Sequence, residues 1–237
     1  QAGRTLDTIT REVINGGSNV QYGEGQVTGR HLLVGGEATG NHYFTVRAVR
    51  KAVRFLKTMN APRYEGSYWA IIHPDCSYDI QDDPDWKRPH EYKDTNNIYD
   101  DEIGKIAGVR FIETTEAKVF HADDLTEGAR DLTVKSASGK VLTVNETITT
   151  ADAAKLAGRE VVIGGALLEI ESASAAAAGS ATITLKEAPA ATPTASTAIY
   201  PGEAGAKGRN VYSTLIMGAE AYGTTELTGG GLEHIVK

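Results

Sequence analysis

The sequence predicts an α+β protein in which a small all-β module interrupts a domain of mixed helices and strands. Three observations lead to this prediction. Helical and strand patterns alternate over the first 118 residues. Between residues 119 and 209 aromatic residues almost vanish, and short strand patterns rich in Val, Ile and Thr recur. After residue 209 the strand and helix patterns of the first part return. We therefore predict domain boundaries at 1–44, 45–118 with 210–237, and 119–209.

The first 44 residues combine one helix with a polar, glycine-rich stretch. Residues 5–15 carry apolar side chains at helical spacing, and the pattern stops at Gly16 and Gly17; the apolar residues are Leu6, Ile9, Val13 and Ile14. Residues 19–43 contain six glycines among short apolar pieces. This composition indicates an extended loop or edge strands on a surface.

A second amphipathic helix is predicted from Thr45 to Asn60. Its apolar stripe consists of Val46, Val49, Val53, Leu56 and Met59. Its other faces are basic and carry Arg47, Arg50, Lys51, Arg54 and Lys57. These charges are either solvated or paired with the many carboxylates of the chain, or they contact a neighbouring subunit.

The remainder of the first part predicts a small sheet with short helices. The apolar run at 68–72 indicates a buried strand, and a short helix follows from Pro74 to Gln81. Residues 82–101 are charged, contain two prolines and indicate an ordered loop, while residues 102–107 indicate a helical turn. An imperfect alternation at 108–118 predicts another strand.

The module at 119–209 is predicted to be all-β apart from one helix. A hairpin spans 131–144, three further strands follow, and residues 150–158 form a short capped helix that ends at Gly158. The alanine run 175–178 is too short for an isolated helix and indicates a β-connection. Pro189 and Pro193 lead the chain out of the module. Residues 210–223 then predict an apolar strand followed by a small-residue helix or turn.

Composition and charge restrict the classes of function. With 237 residues, 41% of them hydrophobic, the chain can bury one large or two modest cores. The net charge of −7 and the lack of long Lys or Arg runs argue against strong direct DNA binding. The single cysteine, Cys76, excludes an internal disulfide. No apolar stretch approaches the roughly 20 residues that cross a bilayer, and the first residues lack a signal-peptide pattern, so we expect no membrane partner.

Motifs that carry catalytic chemistry are absent from the sequence. It contains no phosphate loop of the GxxxxGK[ST] type, no GxSxG elbow and no HExxH helix. A phosphate cradle requires a glycine-rich loop that follows a strand and opens a helix. The glycine-rich pieces at 23–29 and 34–40 do not lie in this context. We predict no enzyme, no cofactor and no catalytic, cofactor-binding or metal-binding residues.

Several residues nevertheless have side chains that are capable of catalysis or metal binding. The tripeptide His73–Pro74–Asp75 resembles the HPD signal of J-domain cochaperones, but a strand precedes it here where that family has a helix. The histidines that could bind a metal with Asp75 show no helical i, i+3 or i+4 spacing among themselves; they are His31, His42, His73 and His121. Ordinary capping or exposed roles are therefore expected for them.

Three further groups have a structural interpretation beside the functional one. The acidic residues Asp82, Asp83 and Asp85 lack the central glycine and distal Glu of a calcium hand, so a solvated acidic turn is expected. Cys76 has no evident base beside it in the sequence. The aromatic residues around the first strand are expected to pack in the core and at its rim and not to stack on a ligand; they are Tyr68, Trp69 and Tyr78.

The order of these signals is similar to that of a known family. The series runs TLDTITREVINGGSNVQYG, VRAVRKAVRFLKTMNAPRYEGSYWAIIHPDCSYDI, EIGKIAGVRFIETTEAK and NVYSTLIMGAEAYG with LEHIVK. It resembles the major capsid proteins of N4-like tailed phages over residues 1–118 and 210–237, and the β-module between them has no counterpart in that series. Since the sequence starts with Gln1 inside a helical pattern, we expect it to be a fragment.

The resemblance implies the Hong Kong 97-type capsid fold, with a peripheral spine helix and a central axial domain. On this mapping residues 5–15 end the spine helix, 45–60 form a central-domain helix, and 69–73 with 109–113 are central-sheet strands. It implies a structural protein of the virion that assembles in the host cytoplasm. Its partners would be its own copies in hexamers and pentamers, with scaffolding, portal or decoration proteins, and packaged DNA bound only non-specifically.

Two other functions remain open at this point. The chain could be a β-rich tail, adhesin or decoration protein in which residues 119–209 bind a receptor or a glycan, although that module has almost no aromatic residues. It could also be an enzyme, which would require a perturbed histidine or carboxylate in a cleft.

Overall fold

The computed structural model describes residues 2–23, 27–35, 42–87 and 104–221, with the side chains of residues 2–6 excepted. The chain forms two compact units. The sheet unit comprises Gln1–Gln26, Tyr43–Val119 and Tyr212–Lys237, and the barrel unit comprises Val27–His42 and Phe120–Val211. The barrel unit therefore interrupts the sheet unit along the chain.

In the part of the chain that the structure describes, the following helices and short strands belong to the sheet unit or connect to it. The helices are α1 (Ala2–Asn15), α2 (Val46–Thr58) and α3 (Pro74–Asp82). The strands are β1 (Tyr68–Ile72), β2 (Lys105–Ile106), β3 (Val109–Glu113), β4 (Val119–Phe120) and, after the barrel, β12 (Leu215–Met217). Helix α1 confirms the prediction for 5–15, and α2 and α3 confirm theirs to within two residues.

The sheet has the strand order β12-β1-β3-β2. Strands β1 and β3 run parallel, with Tyr68 opposite Val109 and Ile72 opposite Glu113, whereas β12 and β2 are antiparallel to their neighbours. Alternation of buried and half-buried residues in β1 places Tyr68, Ala70 and Ile72 on the inner face. They share a core with α2, α3 and Val109. The helical turn predicted for 102–107 is wrong in its described part, since Lys105 and Ile106 form β2.

The barrel unit contains six strands closed in the order β10-β5-β6-β9-β8-β7. They are β5 (Leu132–Ser138), β6 (Val141–Val144), β7 (Glu160–Ile163), β8 (Ala166–Ser174), β9 (Thr182–Leu185) and β10 (Ala198–Pro201). The β5–β6 hairpin and β7 to β9 confirm the predicted strands. Strand β10 was not predicted, yet it closes the ring by pairing with both β5 and β7.

Local chemistry explains the connections of the barrel. Gly164 and Gly165 both have positive φ and turn β7 directly into β8, a geometry that favours glycine in two-residue hairpins. Helix α4 (Thr150–Leu156) starts with a capping box between Thr149 and Asp152. The chain leaves the helix at Gly158, whose φ is +79°, as predicted. Strand β11 (Val211–Tyr212) then pairs with β4 where the chain returns.

The segment Val27–His42 groups with the barrel unit, whereas the sequence placed it with the first helix. Its described part holds a 3-10 turn at Arg30–Leu32 and no strand. The Arg30 guanidinium lies 3.5 Å from the ring centre of Phe120 and donates to the Glu203 carbonyl at 2.8 Å. The Ala206 N–H donates to the Leu33 carbonyl at 2.8 Å. These contacts fasten the segment to the end of the barrel unit.

Candidate functional site

The junction of β1 and α3 contains several of the residues that the sequence suggests as candidates for catalysis or metal binding, namely His73, Asp75 and Cys76. Strand β1 ends at Ile72, and His73 caps the following helix because its Nδ1 accepts from the Asp75 N–H at 3.2 Å. The His73 ring lies 4.8 Å from the ring of Tyr212, centre to centre. A hydrogen bond with Asp75, together with burial, raises the pKa of Tyr212 to about 12. The tripeptide 73–75 therefore acts as a helix start.

Cys76 lies in the core beside this junction and is not a prepared nucleophile. Burial raises the pKa of its thiol to about 11, and the nearby carboxylate of Asp79 acts in the same direction. A reactive cysteine needs partial exposure and a lowered pKa. The thiol instead packs as a small apolar group with Ile72 and Ile80.

The candidate metal ligands are not brought together. Among the described residues no group of three or more His, Cys, Asp or Glu side chains could hold a metal ion. His42 uses its Nδ1 to accept from the Val34 N–H at 2.9 Å. His31, His42 and His121 belong to the barrel unit, and His73 belongs to the sheet unit.

The acidic residues after α3 cap backbone segments. Asp83 accepts from the Val46 N–H at 2.9 Å, at the start of α2, and its other oxygen accepts from the Asp85 N–H at 2.7 Å. Asp79 accepts from the Phe44 N–H at 3.3 Å, and burial raises the pKa of its carboxyl. A carboxylate at a helix N-terminus satisfies an unpaired donor and complements the helix dipole. Asp79 and Asp83 therefore satisfy backbone donors at or next to the start of α2.

The basic face of α2 divides along the helix. Arg50, in the N-terminal half, lies 3.5 Å from Asp85, an exposed pair of low energetic worth. Arg54 and Lys57, in the C-terminal half, are exposed, and so are the apolar side chains of Phe55 and Met59. Met59 was predicted within the buried stripe, but it is the helix C-cap and lies on the surface. The apolar residue off the stripe, Phe55, was the one sequence signal for this surface.

Exposed large apolar side chains concentrate on the sheet unit. Ten are exposed in the described part of the chain, and eight belong to this unit: Ile9, Val20, Tyr43, Phe55, Met59, Tyr64, Tyr78 and Ile112. Single exposed apolar residues are normal, but groups of them mark interaction surfaces. Tyr78, predicted to lie in the core or its rim, is 74% exposed, while Tyr68 is buried as expected.

The outer face of the sheet adds a second apolar surface to this unit. Trp69 lies opposite Met217, and Ile71 lies between Leu215 and Ile112, so these side chains share the face away from the core. Four of them are half-buried and Ile112 is exposed. On the inner face of the same strands, Tyr68, Ala70, Ile72 and Val109 are buried, and Phe111 and Ile216 are half-buried against the core.

The barrel unit presents a different surface. Val141 and Leu167 are its two exposed large apolar side chains among the described residues. Its aromatic residues, Phe120 and Tyr200, are half-buried. Arg159 is mostly buried and donates to the Glu203 carboxylate at 2.7 Å and to the carbonyls of Asp123 and Asp124. The arginine therefore ties two connections together and is not available as an anion site.

The comparisons with known proteins give one match. The family model described as phage capsid protein matches residues 3–225. No curated protein matches the chain, and no solved structure matches it. In the described part of the chain, no helix has the length and apolarity needed to cross a membrane. The structure has mixed α and β content, with 24% helix and 31% strand. Because the matched region covers nearly the whole sequence, the chain belongs to the phage capsid protein family, whose members are structural proteins of the bacteriophage virion.

Proposed function

We propose that this chain is the major capsid protein of a tailed phage of the N4-like type, with a Hong Kong 97-type fold. Its copies associate into hexamers and pentamers that close an icosahedral shell around double-stranded DNA. The family match over residues 3–225 carries the proposal, since it supports a structural capsid role and self-association. A shell requires surfaces that meet different surfaces of the next copy, and it requires no active site.

The organisation of the two units supports the finer assignment. The sheet unit combines a parallel strand pair with α2 and α3 and would be the central axial domain. Helix α1 would be the end of the spine helix. The barrel unit would be the inserted domain, because the chain leaves through β4 and returns through β11. We place this domain on the outside of the shell, where an addition least disturbs contacts between copies.

Charge supports an indirect relation to the genome. The formal net charge of −7 disfavours tight binding of the protein to DNA phosphates. A lining that does not hold the genome would let DNA enter during packaging. We therefore propose non-specific contact with DNA, assembly in the host cytoplasm, and scaffolding, portal or decoration proteins as further partners.

The groups weighed for catalysis have structural duties in the described residues. His73, Asp79 and Asp83 cap backbone donors, and Cys76 is a buried core residue. The receptor-binding alternative would place an aromatic cluster on the barrel, whereas Phe120 lies under Arg30 and Tyr200 is half-buried. We propose a non-enzymatic, shell-forming role.

Electron microscopy of the purified full-length protein, with sedimentation velocity on the same sample, tests the proposal. We expect closed polyhedral particles, or ring-shaped capsomers that convert to particles on addition of a scaffolding protein. A discrete monomer or trimer in every assembly condition would overturn the shell-forming role. Particles in which an antibody against the barrel unit binds only after disruption would overturn its outward placement.

A further inference from the structure

One asparagine of the sequence stands directly before a glycine. Asn15 ends α1 and Gly16 follows it, whereas each of the other asparagines precedes a residue with a side chain. Asparagine is a thermolabile residue, because the next backbone nitrogen can attack its side-chain amide carbon. The attack forms a five-membered succinimide ring and releases ammonia, which carries away the proton of that nitrogen. Glycine favours this reaction, since it has no Cβ to obstruct ring closure and its backbone is unrestricted.

The structure holds both reacting groups of this pair in hydrogen bonds. The Gly16 N–H, which contains the attacking nitrogen, donates to the Glu12 carbonyl at 3.0 Å. The Asn15 side chain is half-buried, and its Nδ2 donates to the Arg11 carbonyl at 2.9 Å. Its Oδ1 accepts from the Ser213 hydroxyl at 2.5 Å. The nitrogen and the amide that it would attack are therefore held apart by the helix end and its neighbour.

Polar contacts dock this end of α1 within the sheet unit. The Arg11 guanidinium donates to the Glu116 carbonyl at 2.6 Å. The Lys118 ammonium donates to the Glu12 carboxylate at 2.7 Å. The position of Ser213 is fixed in turn, because its N–H donates to the Lys118 carbonyl at 2.9 Å. A helix end that is held by polar bonds near the surface opens at a lower free energy than a buried core does.

We propose that Asn15 is a deamidation site that the fold protects, and that it reacts when the end of α1 leaves Ser213. Ring closure moves the Asn15 backbone out of the helical conformation, so the bond from Gly16 to Glu12 must break. It also turns the side-chain amide away from Ser213. The reaction therefore passes through a local opening of the helix end. This inference concerns a single copy and is independent of the proposed shell-forming function.

Deamidation would make the opening permanent. Water opens the succinimide to aspartate or isoaspartate, and both carry a carboxylate in place of the amide. The Nδ2 of Asn15 donates to the Arg11 carbonyl, so the product places an acceptor against an acceptor. Isoaspartate also lengthens the backbone by one methylene, and the last turn of α1 then loses its register. The fraction of modified copies thus records how often this helix end has opened.

Isoaspartate formation at Asn15 of the full-length protein, incubated at pH 8 and followed by peptide mapping, tests the proposal. Ser213→Ala removes the restraint on the amide, and Ser174→Ala at an exposed position of β8 is the matched control. Gly16→Ala tests the chemistry. A Cβ at Gly16 would lie 3.4 Å from the Val13 carbonyl oxygen, an ordinary contact, so the helix should persist. Far-UV circular dichroism establishes that each variant is folded.

We expect Asn15 to react at least about tenfold more slowly in the folded protein than in guanidinium chloride, because only the opened helix end reacts. Ser213→Ala should raise the rate in the folded protein about fivefold, since one hydrogen bond fewer holds the end closed. Ser174→Ala should leave the rate unchanged. Gly16→Ala should slow the reaction even in guanidinium chloride, because its Cβ obstructs ring closure.

Lys118→Met provides a second measurement that does not touch the Asn15 amide. It removes the ammonium that holds Glu12 and should raise the rate in the same direction as Ser213→Ala. Equal rates in the folded and the denatured protein would overturn the protection. A rate for Ser213→Ala that equals or falls below that of the unchanged protein would overturn the restraint, since the hydroxyl would then be neutral or would assist the attack.

Discussion

The two units of the chain bury their strands in different ways. In the barrel unit the six strands close on themselves, and the inward side chains of all of them lie in one core. In the sheet unit four strands form an open sheet, whose inner face is buried by helices and whose outer face keeps half-buried apolar residues. A closed barrel leaves no strand edge unpaired, whereas an open sheet does. The difference teaches that the sheet unit is where contacts between copies are to be sought.

The largest expected effect is the loss of a large side chain from the closed core. Leu142→Ala removes a fully buried side chain from the barrel and should lower the free energy of unfolding by about 2–5 kcal/mol. Leu167→Ala, at a position that is 37% exposed, is the matched control and should cost less than about 1 kcal/mol.

Two spectroscopic signals distinguish the unfolding of the two units in these variants. Both tryptophans, Trp69 and Trp86, belong to the sheet unit, so tryptophan emission follows that unit while far-UV circular dichroism follows both. For Leu142→Ala we expect a shifted transition in the circular dichroism and an unchanged tryptophan transition. A tryptophan transition that moves with the mutation would show that the two cores unfold together.

The next effect concerns the buried core of the sheet unit, which contains Cys76. At pH 8 the Cys76 thiol, with a pKa of about 11 against an ordinary 9.0, should hold about a hundredfold less thiolate in the folded than in the unfolded protein. A disulfide reagent should therefore react at least about a hundredfold more slowly with the folded protein than with the protein in urea. Similar rates in both states would mean that this core is open.

A smaller effect is expected at the polar cap of the barrel. Asp152 accepts from the Glu127 N–H at 3.1 Å and from the Thr149 hydroxyl at 2.7 Å, and it is buried. Asp152→Ala should cost about 1–2 kcal/mol in the free energy of unfolding, measured by urea titration. Asp123→Ala, which alters an exposed carboxylate, should have little effect.

The same residue predicts a pH dependence. The hydrogen bond from Thr149 holds the pKa of Asp152 below its usual value. Its contribution to stability is therefore present above the unfolded pKa of about 4 and is lost as the pH falls through the lowered folded pKa. In urea titrations between pH 2 and pH 6, acid should lower the free energy of unfolding less steeply for Asp152→Asn than for the unchanged chain. An identical slope would contradict this role.

The smallest effect is expected at the surface of the sheet unit. Glu12 of α1 lies 2.7 Å from the Lys118 ammonium, and this hydrogen bond holds the pKa of the Glu12 carboxyl below its usual value. A double-mutant cycle with Glu12→Gln and Lys118→Met should give a coupling below about 1 kcal/mol that shrinks as salt is added. A coupling of several kcal/mol would show that the pair belongs to a buried network.

Local patterns predicted the helices and most strands because each depends on residues close in the chain. Apolar spacing predicted α2, Pro74 predicted the start of α3, and Gly158 predicted the end of α4, whereas the capping role of Thr149 came from the structure. Strand β10 was missed because it follows two prolines and is defined by pairing with β5 and β7, which are distant in sequence. Strand β2 was missed because two residues show no period, and pairing with β3 alone makes them a strand.

Surface groups were predicted less well than the core. The basic residues of α2 and the carboxylates of α3 were visible in the sequence, but their spacing along the chain did not reveal that Asp79 and Asp83 cap the loop and helix start at Phe44 and Val46. The exposure of Tyr78 depends on the orientation of α3 on the sheet.

The sequence by itself determined the types of most elements, the change of composition at the barrel and the resemblance to phage capsid proteins, because these depend on local periodicity and residue order. Tertiary structure decided the closure of the barrel through β10, the grouping of Val27–His42 with it, and the exposure of Phe55, Met59 and Tyr78. Each of these depends on pairing or packing between residues far apart in the chain. One-dimensional patterns carry no such distances, so the pairing of distant strands and the exposure of these side chains appear only once the chain is folded.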